Sequence, residues 1–498
     1  MTYYYKIFKR FSHFSMENVT IALDGPNELQ WDQTIQLRAK IQRIGDLLSD
    51  MYFSFQIPDI YSKYMTPTSG GHGISQWEFR WARYLGAAII NRVAFFVGGQ
   101  RIQEFDGAYL LAKAQLEYDT DTFNKWRILV GDTDELNNPQ LGAYSAGTSK
   151  VNYPTVIRDP VALAAGAAQT NRPSIIGQEI HVPLNFWFTD ATSQALPLVG
   201  LQYQDCEVQL TLNPIQNLYS ILDASGYRVN PNFITAAPQA GIDNNLPEYG
   251  VVQDVSGQIR YFLTDIDYTA PARNTWFLNP RIQCTYVYLS AEEQKTFATR
   301  PLTYVFPQVY IMPNQGIFQR QILDLDLHNP VTRLIFVPRR SDWANRNDFA
   351  NFTNWYTYPY APFKPTQGIV PTYLQQNLIS GLLIPNAQKD IIRSLRVLCD
   401  GNEIQEVKPV DFFTKIAPFR YTAGFTNGEL PFYTWAITSS KTQPSGSLNA
   451  SRIRNLQVEL DVYPLPPATT YTYDVDIYVE SLNFFVVASG SGAPKYVL

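Results

Sequence analysis

Two stretches of the 498-residue sequence share the pattern that decides the fold: INRVAFFVGGQRIQEF at 90–105 and IRSLRVLCDGNEIQEV at 392–407. In each stretch, a run of β-prone apolar residues is followed by a two-residue turn and a second run. The turn pairs, Gly98-Gly99 and Asp400-Gly401, are favoured in type I′ turns, in which both central residues need positive φ. Each stretch is therefore predicted to form a β-hairpin with these four structural turn residues.

The two hairpins belong to an internal repeat. A shift of 302 positions places Gly401 on Gly99 and Ile404 on Ile102. Two weaker matches keep the same chain order, EVQL at 207–210 with QVEL at 457–460 and YVYL at 286–289 with IYVE at 477–480. The shift decreases along the chain, as it would if the first copy carried longer loops. The repeat predicts two β domains of the same topology.

The rest of the chain also reads as strands and turns, with 28 glycines and 33 prolines to supply the breaks. Alternating or β-prone apolar runs predict strands at Leu29–Arg38, Met51–Ile57, Glu207–Leu212, Gln457–Val462 and Tyr471–Val479. Helical patterns occur at 107–118 and 290–299, the second with Ser290 and Glu293 as a capping box. Two segments rich in small and polar residues, 132–178 and 213–274, are predicted to be long surface loops.

A repeat unit of about 200 residues with long inserts favours jelly rolls over a tandem of immunoglobulin-like sandwiches. We therefore predict an all-β chain of two tandem eight-stranded jelly rolls, with long loop insertions and a few short helices. The N-terminal jelly roll is assigned to 1–290, a short linker helix to 291–300 and the C-terminal jelly roll to 301–498.

Composition excludes several classes of protein. The 39 Lys and Arg against 44 Asp and Glu give a net charge of −5, so no large basic surface for nucleic acid is expected. Only 17% of residues are charged and 14% are aromatic, which suits strands and large buried contacts between subunits. The longest apolar stretch, 85–97, is interrupted by Asn91 and Arg92 and is too short to span a bilayer. The opening MTYYYKIFKR lacks the apolar core of a signal peptide.

The residues that usually build metal or redox sites are rare and scattered. The four histidines and three cysteines form no CxxC, HExxH or Cys/His cluster, so no local zinc motif or disulfide framework is predicted. Each cysteine is expected to be a small buried hydrophobic residue in a reducing compartment. These residues are His13, His72, His181 and His328, and Cys206, Cys284 and Cys399.

No catalytic constellation is predicted either. The pairs Asp324/Asp326 and Asp474/Asp476 each place two carboxylates on one face of a strand, where acid–base work or metal binding is conceivable. A solvated strand face is the favoured interpretation of both pairs. The loop Gly70–Gly73 (GGHG) lacks the Lys-Ser/Thr of a phosphate-binding loop. We predict no catalytic, cofactor-binding or metal site.

Three further features allow more than one interpretation. The aromatic-rich segment 343–356 could stack sugars or bases, but loop packing against a neighbouring subunit is favoured. The Asn-x-Ser/Thr sequons are at Asn18, Asn351 and Asn449, of which Asn449 is interpreted as structural. The basic side chains of the opening could touch anionic lipid or nucleic acid, although a solvated or subunit-packed face is favoured. These basic residues are Lys6, Lys9 and Arg10.

Several blocks, in order along the chain, carry a family resemblance. They are YYYKIFKRFSHFSMENV at 3–19, RIGDLLSDMYFSFQIP at 43–58, VGGQRIQEFDG at 97–107, VPLNFWFTDATSQALPLVGLQYQDCEVQL at 182–210, YVYLSAEEQKTFAT at 286–299, HNPVTRLIFV at 328–337, GNEIQEV at 401–407 and QPSGSLNASRIRN at 443–455. With these blocks the chain resembles the double-jelly-roll major capsid proteins of nucleocytoplasmic large DNA viruses. Family members usually carry a stretch before the aromatic opening, whereas Met1 stands next to it here. The ending GSGAPKYVL also departs from the family.

The resemblance implies a major capsid protein whose homotrimers form pseudo-hexagonal capsomers that tile an icosahedral shell. It implies location in the virion capsid, assembly in the host cytoplasm, and contacts with neighbouring capsomers and with minor capsid and penton proteins. An internal membrane is an open candidate partner, and no sequence-specific nucleic acid is expected. The chain is predicted to be neither an enzyme nor a cofactor-binding protein. The alternatives are a poxvirus-type transient assembly scaffold and a jelly-roll carbohydrate-binding protein.

Overall fold

Antiparallel pairing between strands that lie far apart in sequence organises the chain. The computed structural model describes residues 13–64, 78–137, 139, 156–157, 173–222, 228–232, 257–263, 273–355, 388–424, 426–438, 444–465 and 471–496. Several features singled out in the sequence lie outside these residues: Lys6, Lys9, Arg10, Gly70–Gly73 with His72, and much of the inserts 132–178 and 213–274.

The strands fall into two groups that do not exchange partners within a sheet. We call the first group the N-terminal lobe and the second the C-terminal lobe. The N-terminal lobe contains β1 (Phe14–Ala22), β2 (Glu28–Leu29), β3 (Ile35–Lys40), β4 (Leu47–Gln56), β5 (Lys63–Tyr64), β6 (Glu78–Trp81), β7 (Ile90–Val97), β8 (Gln100–Phe105), β9 (Val156–Ile157), β10 (Glu179–Pro183), β11 (Leu196–Pro197), β12 (Cys206–Leu212), β13 (Tyr219–Leu222), β14 (Arg228–Val229), β15 (Trp276–Phe277) and β16 (Arg281–Leu289). The C-terminal lobe contains β17 (Leu302–Ile317), β18 (Gln321–Leu325), β19 (Pro330–Arg340), β20 (Ile392–Cys399), β21 (Asn402–Pro409), β22 (Phe432–Thr434), β23 (Leu448–Asn449), β24 (Leu456–Val462), β25 (Tyr473–Ala488) and β26 (Ser491–Pro494).

Each lobe is a sandwich of two principal sheets with eight main strands. The N-terminal lobe has the orders β1-β16-β4-β10 and β3-β12-β7-β8. The C-terminal lobe has the orders β17-β25-β19-β22 and β18-β24-β20-β21. The first and last long strands of each lobe are neighbours, and each hairpin forms one edge of its sheet. The predicted fold of two tandem jelly rolls is confirmed.

The internal repeat found in the sequence is also confirmed at the level of strands, because each matched segment lies on the equivalent strand of its lobe. The residue register of the third match is wrong, since Thr285 pairs with Asp50 where Glu480 pairs with Arg333. The hairpin β7–β8 corresponds to β20–β21, and EVQL in β12 corresponds to QVEL in β24. YVYL in β16 and IYVE in β25 both lie on the strand next to the first strand of the lobe. A sequence match of only four residues was therefore enough to identify equivalent strands.

Helices are short, and the two predicted ones are present. The α-helices are α1 (Leu85–Ala88), α2 (Gly107–Glu117), α3 (Thr120–Leu129), α4 (Asp134–Asn137), α5 (Ala291–Thr299) and α6 (Ala417–Tyr421), the last preceded directly by a π turn at Phe412–Ile416. The capping box predicted for α5 is wrong in detail, since Ser290 Oγ donates to the Glu293 carboxylate at 3.1 Å and caps no backbone N–H. No helix among the described residues is long and apolar enough to cross a membrane.

The long strand predicted at Leu29–Arg38 is wrong, because the chain breaks between β2 and β3. The backbone carbonyls of Gln30 and Trp31 accept hydrogen bonds from the N–H groups of Ile215 and Gln216, at 2.9 and 3.2 Å. These bonds hold residues 30 and 31 against a 3₁₀ turn at Ile215–Asn217 and not in a sheet. Local alternation could not reveal a competing partner so far along the chain.

The prediction that 213–274 is a surface loop is wrong for its described beginning. Leu218, Tyr219 and Ile221 are fully buried, and β13 pairs with β6 to add a small sheet to the lobe. The Tyr219 ring stacks on Phe79 with centroids 4.5 Å apart. Similarly, Asp132 at the start of the other insert is buried and forms an ion pair with Arg83 at 3.2 Å. Both inserts therefore begin inside the N-terminal lobe.

The hydrophobic core of the N-terminal lobe continues into the C-terminal lobe. One contiguous cluster joins the interior of the first sandwich, through Phe186, Trp187 and Phe188, to Phe306 and Phe485 of the second. A separate cluster fills the C-terminal sandwich. The lobes are thus joined by buried apolar surface as well as by the chain.

Candidate functional site

The two predicted carboxylate pairs lie in different sheets. Asp324 on β18 accepts a hydrogen bond at 2.7 Å from a glutamine of the neighbouring strand, and Asp326 is exposed just beyond the strand. Asp474 on β25 accepts the backbone N–H of Gly316 at 3.0 Å. Burial raises the pKa of both Asp474 and Asp476, and these side chains are half-buried. The interpretation as a solvated strand face holds for Asp324/Asp326 but is wrong for Asp474/Asp476.

The described histidines remain apart. His13 and His328 are exposed, whereas the Nδ1 atom of His181 lies 2.8 Å from the Oγ atom of Ser54. Among the residues that the structure describes, no group of three or more His, Cys, Asp or Glu side chains could hold a metal ion. The contact between Ser54 and His181 therefore belongs to the pairing of β4 with β10.

Two of the three cysteines are buried, as predicted. Burial raises the pKa of the Cys206 and Cys284 thiols to about 12, so both remain protonated and unreactive near neutral pH. Cys399, at the end of β20, is only half-buried, and the prediction is wrong for it. All three thiols are free.

The aromatic-rich segment after β19 packs against the N-terminal lobe of its own chain. The side-chain amide of Asn347 donates to the carbonyls of Gln216 and Tyr219, both at 2.6 Å. The Arg339 guanidinium lies 4.8 Å from the centre of the Trp343 ring. For its described residues, the predicted loop packing is therefore made against a lobe of the same chain, and a contact with a neighbouring subunit stays a prediction.

The three sequons differ in accessibility. Asn351 is buried, and its side-chain amide donates to the Asp348 carboxylate and the Trp355 carbonyl, both at 2.8 Å. A glycan could not be attached there in the folded chain. Asn18 on β1 and Asn449 on β23 are exposed.

The predicted hairpin turns have the backbone geometry that a type I′ turn requires. Gly98 and Gly99 have φ of 57° and 79°, and Asp400 and Gly401 have φ of 48° and 81°. The Asp400 side chain also accepts the backbone N–H of Asn455 at 2.9 Å. The side chain of Asp400 therefore connects its turn to the start of β24.

Replacing Gly401 with valine is expected to lower the free energy of unfolding by about 1–2 kcal/mol, the usual cost of a left-handed conformation for a branched residue. A Cβ at Gly401 would meet no atom within 4 Å, so the loss would come from the backbone alone. Denaturant unfolding measures it. Gly401→Asn is the control, since asparagine tolerates this conformation. Identical denaturant unfolding curves for Gly401→Val and the unaltered protein would contradict the prediction.

The extensive surface that joins the lobes offers the clearest functional geometry. We call it the seam. On the N-terminal side it consists of α2, β8 and a 3₁₀ turn at Trp187–Thr189, and on the C-terminal side of β17, β19 and β25. Trp187 lies between the lobes, with its ring centroid 5.2 Å from that of Tyr304 and 5.5 Å from that of Phe485. The side-chain amide of Gln103 donates to the carbonyl of Pro307 at 3.1 Å.

A buried charge cluster lies beside these apolar contacts. Arg333 of β19 is 1% exposed and donates to Glu480 at 2.6 Å and also to Glu117 of α2. The Tyr109 hydroxyl donates to Glu480 at 2.7 Å. Lys113 forms an ion pair with Asp190 at 2.8 Å. A polar cavity of about 300 Å³ opens between these groups. The seam therefore uses both apolar burial and charge pairing.

In the C-terminal lobe, the surface equivalent to α2 and β8 is exposed. We call it the helix face; it consists of β21, the helical segment 412–421 and the residues after β22. Ile404 is 40% exposed, whereas its repeat counterpart Ile102 is 1% exposed because β8 packs on β17. The large apolar side chains exposed on the helix face are Ile404 (40%), Val407 (50%), Ile416 (56%), Phe419 (91%) and Ile437 (75%).

In the N-terminal lobe, the surface equivalent to β17, β25 and β19 is exposed along its first strand and half-buried on the other two. We call it the sheet face; it is the outer side of β1, β16 and β4. Most of β1 is exposed although the strand is paired with β16, and Phe14 and Met16 are each about half-exposed. Each lobe thus leaves exposed, at least in part, the surface whose counterpart in the other lobe is used at the seam.

Sequence reasoning predicted α2 but missed the charged residues of the seam. The sequence analysis assigned no role to Lys113 and Glu117, because their partners Asp190 and Arg333 lie 77 and 216 residues away. The only available signal was the internal repeat, which implied two similar lobes but not which surfaces face each other.

Comparison with known proteins agrees with this architecture. The family model described as major capsid protein N-terminus matches residues 2–254, and the model described as large eukaryotic DNA virus major capsid protein matches residues 293–493. The chain is 20% identical to the major capsid protein of Chrysochromulina ericina virus, covering 100% of this chain and 96% of that one. It is also 20% identical to the major capsid protein of Paramecium bursaria Chlorella virus 1, with coverage of 100% and 94%.

Solved structures show the same fold. The quasi-atomic model of the PBCV-1 virus capsid has a TM-score of 0.63 at 17% identity, with full coverage of both chains. The Faustovirus major capsid protein has a TM-score of 0.65 at 13% identity, covering 98% of this chain and 93% of that one. Because the two family models together match most of the sequence, the chain belongs to the family of major capsid proteins of large eukaryotic DNA viruses.

Proposed function

We propose that three copies of this chain associate head to tail into a ring of six lobes, which is the capsomer of an icosahedral shell. The observation that carries the proposal is the pair of exposed faces, the helix face on the C-terminal lobe and the sheet face on the N-terminal lobe. Within a chain, the N-terminal lobe presents its helical surface to the C-terminal sheets. The same contact between the C-terminal helix face and the N-terminal sheet face of another copy would continue the ring.

Closure at three copies is proposed because of the lattice that six lobes would allow. Two similar lobes per chain give six lobes in a trimer, which approximates a hexagon suited to close packing. A contact that repeats head to tail must either close into a ring or extend into a filament. Burial of roughly 2,000–5,000 Å² per contact is typical of obligate interfaces.

The purified chain, of 56.7 kDa, is expected to have a mass of about 170 kDa by light scattering, three times that of one copy. Phe419→Asp should produce monomers, because a charge would replace the most exposed apolar side chain of the helix face. Phe277→Asp is the control, since Phe277 is also exposed but lies outside both faces. A folded, stable monomer of the unaltered chain at micromolar concentration would contradict the proposal.

We further infer that the chain divides into an N-terminal domain 1–290, a linker helix 291–300 and a C-terminal domain 301–498. Strand pairing within each lobe supports this division, as does the position of α5 between them. We also propose neighbouring capsomers, minor capsid and penton proteins as partners, assembly in the host cytoplasm, and no enzymatic activity. Family membership supports these proposals. Cross-linking of purified particles and fractionation of infected cells would test the partners and the site of assembly.

A further inference from the structure

We propose that Arg420 of one copy pairs with Asp50 of the next copy. Within a chain, the Glu117–Arg333 pair joins the two lobes. The proposed pair would take the equivalent place between chains, with the positions of the two charges exchanged. The inference rests on the proposed trimer and identifies the charged contact that would select its arrangement. Three independent observations lead to it: the register of the helices, the register of the strands and the distribution of charge.

The hairpins establish the register of the helices. Val93 pairs with Phe105 in the first hairpin, whereas Leu395 pairs with Lys408 in the second. The second hairpin contains one more register irregularity, so that the shift between the copies is 302 as far as Gln405 and 303 from Lys408 onward. Glu117 of α2 therefore corresponds to Arg420.

Burial of the helical segment 412–421 and the preceding turn supports this register. In the C-terminal lobe the inward side chains are Val410, Phe413, Thr414 and Ala417. At a shift of 303 their counterparts in α2 are Gly107, Leu110, Leu111 and Ala114, all small or apolar and buried. The outward positions then correspond as well. Those of α2 that contact the seam cluster are Tyr109, Lys113 and Glu117, and their counterparts are Phe412, Ile416 and Arg420.

A β-bulge establishes the register of the strands. In the C-terminal lobe, Thr332 is the extra residue of the bulge between β19 and β25, and Arg333 follows it. In the N-terminal lobe, the equivalent pair β4 and β16 has its bulge at Ser49, and Asp50 follows it. β4 and β19 hold the same place in their sheets. Asp50 therefore stands where Arg333 stands in the other lobe.

Charge at these positions is complementary. In the described part of the chain, neither Asp50 nor Arg420 has a hydrogen bond to another side chain or an ion pair. Arg420 is exposed. Asp50 is half-buried beside a groove of about 230 Å³, whose lining includes Tyr118 and Trp126 and also the cation Lys125, which forms no ion pair with Asp50. Burial raises the pKa of the Asp50 carboxyl, as expected for a carboxylate without a cation.

The exchange of charges also excludes the wrong neighbours. If two N-terminal lobes met in this geometry, Glu117 would face Asp50. If two C-terminal lobes met, Arg420 would face Arg333. Both contacts bring like charges together in a desolvated interface, which is strongly unfavourable. Only alternation of N-terminal and C-terminal lobes gives opposite charges at every contact, and alternation is what a closed head-to-tail trimer requires.

A charge exchange tests the inference, with the trimer dissociation constant measured by sedimentation of the full chain. Asp50→Arg or Arg420→Asp alone is expected to weaken the trimer by about tenfold or more, because like charges would then meet. The double variant Asp50→Arg/Arg420→Asp should return to within about threefold of the unaltered protein. Asp32→Arg is the matched control, since Asp32 is exposed away from the sheet face, and it should leave the constant unchanged.

A second pair of variants avoids any folding defect from the larger substitutions. Asp50→Asn and Arg420→Gln keep the shape of the side chains, and in combination they should weaken the trimer no more than either does alone. Additive effects in this cycle, or a charge-exchanged variant no tighter than the single variants, would overturn the pairing while leaving the trimer intact. A monomeric unaltered chain would instead overturn the proposed function together with the inference.

Discussion

Replacing Arg333 with methionine is expected to lower the free energy of unfolding by about 3–5 kcal/mol, measured by denaturant unfolding. Arg333 is almost completely buried and is the cation shared by Glu117 and Glu480 at the seam. Without Arg333, the carboxylates of Glu117 and Glu480 would remain in a desolvated interface and would lose the cation that now pairs with both. The other cation nearby, Lys113, lies 4.0 Å from Glu117 but is paired more closely with Asp190, at 2.8 Å.

Two comparisons separate this effect from a general loss of an arginine. Arg393→Met removes an exposed ion pair with Asp461 and should cost about 0–1 kcal/mol. Adding Glu117→Gln and Glu480→Gln to Arg333→Met should recover most of the loss, because no buried charge is then left uncompensated. A loss below 1 kcal/mol for Arg333→Met would mean that the cluster contributes little to holding the lobes together.

The loss should also depend on pH. Burial raises the pKa of Glu117 above its ordinary value of 4.5, while Arg333 opposes that rise. Removing Arg333 would therefore raise the pKa of Glu117 in the folded protein further. At a pH between the two pKa values, Glu117 of the folded variant would hold a proton that Glu117 of the unfolded chain releases. The stability of the variant then falls as pH increases above about 4.5. We expect a smaller loss at pH 5.5 than at pH 8, and equal losses would contradict this account.

Trp187→Ala is expected to cost about 3–5 kcal/mol, because the seam would lose its largest apolar side chain and retain a cavity. Trp187 is fully buried, and its ring lies against Tyr304, Phe306 and Phe485 of the other lobe. Because the hydrophobic core continues through this position, both lobes should be destabilised together in one unfolding transition. Calorimetry or denaturant unfolding measures the effect.

Two control variants test whether the loss depends on the size of the side chain at position 187 and on its burial. Trp187→Phe keeps an aromatic ring at the seam and should cost less than the alanine variant. Phe277→Ala removes an exposed ring on the N-terminal lobe and should change stability by no more than about 0.5 kcal/mol. If Trp187→Ala unfolded the C-terminal lobe in a separate transition from the N-terminal lobe, the prediction of a single transition would be contradicted.

Local signals predicted the elements well where the structure depends on neighbouring residues. The hairpin turns have the predicted positive φ, since the requirement lies in the turn pair itself. Helix α2 begins after Asp106, whose side chain accepts the N–H of Tyr109 at 2.8 Å. Helix α3 was missed because its apolar residues are few. Only Phe123 and Trp126 are buried on it.

Predictions failed where a distant segment competed for the same backbone or surface. Residues 30 and 31 leave the sheet for a turn almost 200 positions later, and Tyr219 enters the core from a segment that resembled a loop. The aromatic segment, whose contact with a neighbouring subunit stays a prediction, packs against a lobe of the same chain. In each case the sequence displayed the apolar or polar groups but not their partner.

By itself, the sequence determined the jelly-roll repeat, the turn residues and the family, because each depends on residues within a single short block. Only the tertiary structure decided that Ile102 is buried while its repeat counterpart Ile404 is exposed. It also decided that Glu117 is paired with the cation Arg333, whereas Arg420 has no paired carboxylate among the described residues. Equivalent positions differ because one copy of the repeat packs on the other. In a chain of two lobes, the helix of the first meets the sheet of the second, and the described residues provide no such partner for the remaining helix and sheet faces.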